Sequence, residues 1–259
     1  MPEAEERAIR TLKHFTATLQ ANQVGRVLAF GTSAIRVARN QQAFLARIQA
    51  ETNITVKVLS GDEEAQFIYY GVNKALRLEN DRALIVDIGG GSVEFIIAGE
   101  GRMLWHTSLE IGAQRLMEKF HHHDPIAPEE ITGLMTFLAT EMKPVLQAIW
   151  QFMPKTLAGS SGTFDTLSDI FCLKHQIQTE PNAPETPLTI QGFEEIYADL
   201  IQKDRNARLA IPGMIEMRVD MIVVACCLIR FLLDQHRFTS IRVSSYSMKE
   251  GILERLDYL

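Results

Sequence analysis

The chain has 259 residues, of which 46% are hydrophobic, with a formal net charge of −6 at pH 7; that is enough for one large or two moderate domains with a real core. No basic tail or stripe accompanies the acidic balance, which argues against general nucleic-acid binding, and any polyanion bound here must meet locally gathered cations, with Arg36, Arg39, Arg115, Arg218 and Lys249 as candidates. Cys172, Cys226 and Cys227 show neither disulfide nor metal spacing and suit a reducing, cytoplasmic setting; the acidic start is unlike a signal peptide, and the most apolar run, 221–229, is too short to cross a bilayer, so no membrane partner is expected.

Taken in chain order, Ile9, Leu12, Phe15 and Leu19 at helical spacing predict an amphipathic helix over 2–19. A short strand follows at 26–30, then a helix capped by Ser33 and running to about 51. Thr55, Val56 and Val58 favour a strand at 55–59. Asp62, Glu63 and Glu64 open the next helix, where carboxylates suit the positive end of the dipole. Strands at 83–87, 93–98 and 102–107 form a meander. Beyond residue 112 helices dominate: 112–120, then 128–152 with Pro144 kinking or breaking it. A small strand at 156–158 enters a glycine loop, 159–163. The stretch 174–188, with Pro181, Pro184 and Pro187, reads as a surface loop. Helices near 190–203 and 216–236, a strand at 240–243 and a last helix ending at 259 complete the chain.

The most informative segment is Asp87-Ile88-Gly89-Gly90-Gly91-Ser92-Val93-Glu94. Three glycines join two apolar strands, with a carboxylate at each end. Without Cβ atoms the turn lets a phosphate approach and presents N–H groups to it. Asp87 and Glu94 are of the type that holds a divalent metal or its water. A Walker loop is excluded because no Gly-Lys-Ser/Thr occurs, and a Rossmann loop because a strand, not a helix, follows. His121-His122-His123 precedes Asp124-Pro125 and reads as a turn rather than a metal tract, since consecutive histidines do not readily converge on one ion.

Leu59-Ser60-Gly61-Asp62-Glu63-Glu64-Ala65 lies one helix and one strand before that turn. Together with 87–94 it resembles the exopolyphosphatase / guanosine pentaphosphate phosphohydrolase family. Thr32-Ser33-Ala34-Ile35-Arg36, the strand and Gly-x-x-Arg of 108–115, Gly159-Ser160-Ser161-Gly162-Thr163, Arg218-Val219-Asp220 and Lys249-Glu250-Gly251 resemble further family segments in the same order.

The resemblance implies an α/β fold of the actin-like ATPase, or ribonuclease H-like, kind. Residues 1–66 would form a partial first lobe, joined by a C-terminal helix at about 247–259, and residues 67–246 the second lobe. It implies Mg2+-dependent hydrolysis of a phosphoanhydride bond in inorganic polyphosphate or guanosine pentaphosphate. Glu64 would be the general base and Glu94 would orient metal or water, with Asp87 and Glu94 as metal ligands. Gly89, Gly90, Gly91, Ser92, Arg36, Gly159, Ser161, Gly162 and Thr163 would bind phosphate. One residue turns a helical side chain by about 100°, so only one of Glu63 and Glu64 should face the cleft. Val93 and Lys249 stand where Thr and Arg are usual in the family. The family also opens with an Asp-x-Gly-Ser-Asn-Ser-like turn on a first strand hairpin, whereas the single Asp-x-Gly here is Asp87-Ile88-Gly89. The expectation is therefore a first lobe with an open strand edge, a tendency to homodimerise and slow turnover by this chain alone. The alternative is a non-catalytic module that binds a nucleotide, alarmone or polyphosphate.

Overall fold

Helix α1 (Pro2–Ala21) is followed by strand β1 (Ala29–Gly31), helices α2 (Ser33–Arg36) and α3 (Gln41–Thr52) and strand β2 (Val56–Val58). The computed structural model describes residues 2–78 and 81–256, and these first elements form one of two compact units, divided between Gly61 and Asp62. β1 and β2 pair in parallel, with Ala29 opposite Val56 and Gly31 opposite Val58. Ile9, Ile48 and Ile54 make a small core between α1, α3 and the strands. Phe15, expected in the buried stripe, is instead 54% exposed. The helix expected from Ser33 to about 51 is two helices. Gln41 Nε2 donates to the Ile35 and Arg36 carbonyls, so a side chain caps the end of α2 where the backbone ladder stops.

The second unit opens on α4 (Gly61–Leu76), with Asp62, Glu63 and Glu64 in its first turn. Strands β3 (Ala83–Ile88), β4 (Val93–Gly99) and β5 (Arg102–Leu109) are the expected antiparallel meander. Helices α5 (Ala113–Phe120), α6 (Pro128–Glu141) and α7 (Lys143–Phe152) follow. The break at Met142 places Pro144 in the first turn of α7, where its missing N–H costs no hydrogen bond. Next come β6 (Thr156–Ser160), α8 (Ser161–His175), β7 (Glu185–Thr186), α9 (Ile190–Leu200), α10 (Arg205–Leu209), α11 (Ile222–Gln235), β8 (Ser240–Ser244) and α12 (Met248–Glu254). The last helix was expected to reach 259; residues 257–259 lie outside those described. β7 lies within the stretch expected to be a loop and pairs antiparallel with β8.

The sheet runs in the order β5-β4-β3-β6-β8-β7. β3, β6 and β8 are mutually parallel. β3 and β4 are buried along their whole length, which explains their unbroken apolar runs: both sheet faces are covered. Alternation sends Leu84, Val86, Ile88, Phe95 and Ile97 to the large core shared with α5–α9 and α11. Ala83, Ile85, Ile96, Ala98 and Ala158 go to the opposite face, against Ala65, Ile68, Val72 and Leu76 of α4. α12 packs on α4 backbone to backbone: a Cβ on Gly251 would lie 1.7 Å from the Phe67 carbonyl oxygen. His122 and His123 donate their backbone N–H groups to Glu130, and His123 Nδ1 pairs with the same carboxylate. The tract is thus tied to the start of α6.

Candidate active site

The same alternation builds the site. Asp87 follows Ala83 and Ile85 on one face of β3; Glu94 precedes Ile96 and Ala98 on the matching face of β4; the register sets Asp87 opposite Glu94. Both side chains therefore point to the α4 side of the sheet. Glu64 begins the buried α4 stripe that continues through Ile68 and Val72, four residues apart. Glu64 is buried and Glu63 is only partly so. Three carboxylates from a helix and two strands are thus gathered between α4 and the sheet.

Their electrostatics follow from that burial. Glu94 is 1% exposed; loss of hydration, then the Glu64 and Asp87 charges, raise its pKa to about 8, against hydrogen bonds with Ser108 and Ser92. Ser108 lies opposite Glu94 on β5 and its Oγ donates to Glu94 Oε1 at 2.7 Å. Burial likewise raises the Asp87 pKa, while Ser161, Ser160 and the Arg218 charge oppose it. Ser160 Oγ and Ser161 Oγ both donate to Asp87 Oδ2, at 2.7 and 2.6 Å, leaving Oδ1 as the oxygen to offer a ligand. Among the described residues no Lys or Arg forms an ion pair with Asp87 or Glu94. Buried carboxylates in that condition favour a cation.

The glycine turn is held from behind by α5. Ala113, Gln114 and Gly112 donate their N–H groups to the carbonyls of Gly89, Gly90 and Gly91, at 2.8, 3.0 and 3.1 Å, and Arg115 Nε also reaches the Gly91 carbonyl at 2.8 Å. Each peptide is planar with C=O and N–H opposed. Tying the three carbonyls to α5 therefore turns the N–H groups of Gly90, Gly91 and Ser92 the other way, as an anion cradle requires. None of the three glycines has a positive φ. A Cβ on Gly89 would lie 3.0 Å from the Ser92 carbonyl oxygen and one on Gly112 2.5 Å from the Gly90 carbonyl group, whereas one on Gly90 would meet nothing closer than 3.9 Å.

The second glycine segment is a strand running directly into a helix. Gly159 and Ser160 end β6, and Ser161 is the first residue of α8. Gly159 packs on Phe164, since a Cβ there would lie 2.0 Å from the ring. Gly162 lies under the Arg218 guanidinium, 2.3 Å from where a Cβ would point. Thr163 is buried. Arg36 belongs to the first unit, where its Nη1 donates to the Leu59 carbonyl at 3.1 Å.

Arg218, expected as one of five candidate cations and as part of the family-like segment Arg218-Val219-Asp220 but given no site role, lies in the turn before α11. Its Nε is buried with no hydrogen-bond partner, and it makes no ion pair with any described residue. Burial raises the pKa of both Asp87 and Asp165, and Arg218 lies close enough for its charge to oppose that rise in each. A cation so placed offers N–H groups to an anion beside the carboxylates. A groove of about 420 Å³ lined by Ile170, Leu173, Ile196 and Ile211 contains none of these residues; it lies along the later part of α8. Among the described residues no three His, Cys, Asp or Glu side chains form a preassembled metal cage, and no helix is long and apolar enough to cross a membrane.

An α/β fold with a mixed sheet, carrying a glycine turn beside buried carboxylates, fits the class of phosphate-handling enzymes. The chain belongs to the Ppx/GppA phosphatase family, whose signature matches residues 1–257. A crystal structure of an exopolyphosphatase from Cytophaga hutchinsonii superposes with a TM-score of 0.95 at 41% identity, covering 99% of this chain and 82% of that one. The Aquifex aeolicus family member gives 0.79 at 25% identity, covering 100% and 83%. Among curated relatives, a Haemophilus influenzae protein named as an exopolyphosphatase is 26% identical over 255 residues, 98% of this chain and 76% of the relative. A guanosine-5'-triphosphate,3'-diphosphate pyrophosphatase from Photobacterium profundum is 27% identical over 252 residues, and the chain spans about half of its length, 49%.

Proposed function

We propose that the chain hydrolyses a terminal phosphoanhydride bond of inorganic polyphosphate or guanosine pentaphosphate. The observation that carries this reading is the glycine turn whose amides are directed away from α5, next to Glu64, Asp87 and Glu94. The names of the relatives point to the same two substrates.

In this reading the N–H groups of Gly90, Gly91 and Ser92 hold the oxygens of the phosphoryl group to be cleaved, and Arg218 holds an oxygen from the Gly162 side. Glu64 accepts the proton of the attacking water; like charge on a bound polyphosphate raises its basicity. Glu94, protonated near neutral pH until positive charge arrives, holds its geometry through Ser108. Asp87, fixed by two hydroxyls, presents Oδ1. Asp87 and Glu94 are the residues that would hold Mg2+. Hard carboxylate oxygens without a Lys or Arg ion pair fit that ion, which typically uses one or two carboxylates together with substrate phosphates rather than a full protein cage. Bound there, Mg2+ supplies positive charge against the phosphate oxygens. The reading is tested by measuring phosphate release from polyphosphate, guanosine pentaphosphate and ATP with and without Mg2+. Activity on ATP alone, or on none of the three, overturns it.

A further inference from the structure

Ser161 stands where the chain must turn from β6 into α8 within one residue, and its φ is +68°. In this left-handed region a Cβ crowds the backbone, so glycine is the default occupant. The neighbours show why the turn is so tight. Ser160 is locked opposite Asp87 by the parallel register of β3 and β6. Gly159 is pressed on Phe164, and Gly162 lies under Arg218. Glycines occupy the two positions that need space, while a serine occupies the one that needs left-handed backbone. A local rule broken without local gain points to a function elsewhere. The strained backbone sends Ser161 Oγ to Asp87 Oδ2, 2.6 Å away, beside the Ser160 hydroxyl at 2.7 Å.

We propose that Ser161 is a positioning residue: its hydroxyl fixes the Asp87 carboxylate in one orientation, and the left-handed backbone is retained for that purpose. Two hydroxyls on one carboxylate oxygen set the plane of the group and direct Oδ1 toward a ligand. Glycine at this position would relieve the strain but release Asp87. The proposal rests on the reading of Asp87 as part of a phosphohydrolase site.

The test compares Ser161→Gly with Ser161→Ala. Both lose the hydroxyl; only alanine keeps a Cβ in left-handed backbone. Relief of that strain is expected to make the glycine variant melt about 3 °C higher than the alanine variant. Both are expected to lose kcat by roughly 10-fold or more, the effect of one hydrogen bond to a charged group, with KM changed less than about 3-fold. Wild-type kcat in either variant, or equal melting of the two, overturns the proposal. A native chain without phosphate release would defeat the enzymatic reading separately. The decision then rests on a melting cycle with Asp87→Ala, in which Ser161→Ala should lower the midpoint of the native chain by several degrees and that of the Asp87→Ala chain by less than about 1 °C. Equal effects in the two backgrounds overturn the positioning role.

Discussion

Gly112 lies directly against Gly90: a Cβ on Gly112 would sit 2.5 Å from the Gly90 carbonyl carbon and oxygen, while a Cβ on Gly90 itself would project into open space, 3.9 Å from the nearest atom, Gln114 Cβ. The two glycines therefore have different duties. Gly112 lets α5 approach the turn and orient its carbonyls; in the proposed reading Gly90 keeps the opposite side clear for a phosphate. Gly112→Ala is expected to destabilise the fold by about 1–3 kcal/mol through overpacking. Gly90→Ala or Gly90→Val should leave the melting temperature within about 2 °C of wild type while weakening polyphosphate binding at least about 10-fold. Thermal melts and calorimetric titration check both. Unchanged affinity in a folded Gly90 variant would refute the phosphate-turn assignment.

In the proposed mechanism Glu64 is the base and its neighbour Glu63 is not. Glu64 continues into the buried stripe of α4, while Glu63 is turned about 100° away and is only partly buried. Glu64→Gln is expected to lower kcat at least about 100-fold with little change in substrate affinity, because the amide keeps the shape and loses the proton acceptor. Glu63→Gln should cost less than about 5-fold. Steady-state kinetics on the preferred substrate decide, and equal losses would remove Glu64 from the role of base.

The parts of this site that were legible in the sequence are those written in short-range pattern. Alternation along 83–98 places Asp87 and Glu94 on one sheet face, and helical spacing places Glu64 in the buried stripe, so the carboxylates follow from periodicity. The glycine run marks the turn, although none of its glycines has a positive φ. Other features depend on contacts between distant segments. Ser160 reaches Asp87 because β6 extends into what reads as a loop, through pairing with β3 and β8. Arg218 was expected inside a helix starting near 216; α11 begins at Ile222, and Arg218 lies in the preceding turn, over Gly162. No local pattern marks an arginine whose partner is missing, because that is a property of its neighbours.

Arg218 gives the third prediction. Its buried Nε has no partner and it forms no ion pair among the described residues, so replacing it breaks no Nε hydrogen bond and no ion pair of the fold. A bound phosphate would supply the missing acceptor. Arg218→Ala is expected to raise KM about 10-fold or more, as one lost charge-assisted hydrogen bond implies, with a melting temperature within about 2 °C of wild type. Arg218→Lys should restore only part of the affinity, because an ammonium cannot reproduce the planar fork. A large loss of stability in Arg218→Ala without a change in KM would assign the side chain to the fold instead.

Glu94 carries the pH dependence. Burial first, then the charges of Glu64 and Asp87, raise its pKa from 4.5 to about 8, so the folded chain retains a proton that the unfolded chain has already released. The sign follows. Below about pH 4.5 both states are protonated and Glu94 imposes no penalty. As the pH rises to about 8 the folded state binds more protons than the unfolded one, and stability falls by up to about 1.4 kcal/mol per pH unit, or about 5 kcal/mol at most over the window. Glu94→Gln removes the titrating proton and keeps the shape. Its melting temperature is expected to match wild type near pH 4.5 and to exceed it by about 10 °C at pH 8 in metal-free buffer. Millimolar Mg2+ should narrow that gap by stabilising wild type, whose Glu94 can ionise beside the cation, and should do little for the variant. Melting curves at pH 4.5, 6 and 8, with and without Mg2+, check each part. A gap that is constant with pH would show that Glu94 does not hold its proton in the folded chain, and the account of Glu94 as buried beside the Glu64 and Asp87 charges would then be wrong.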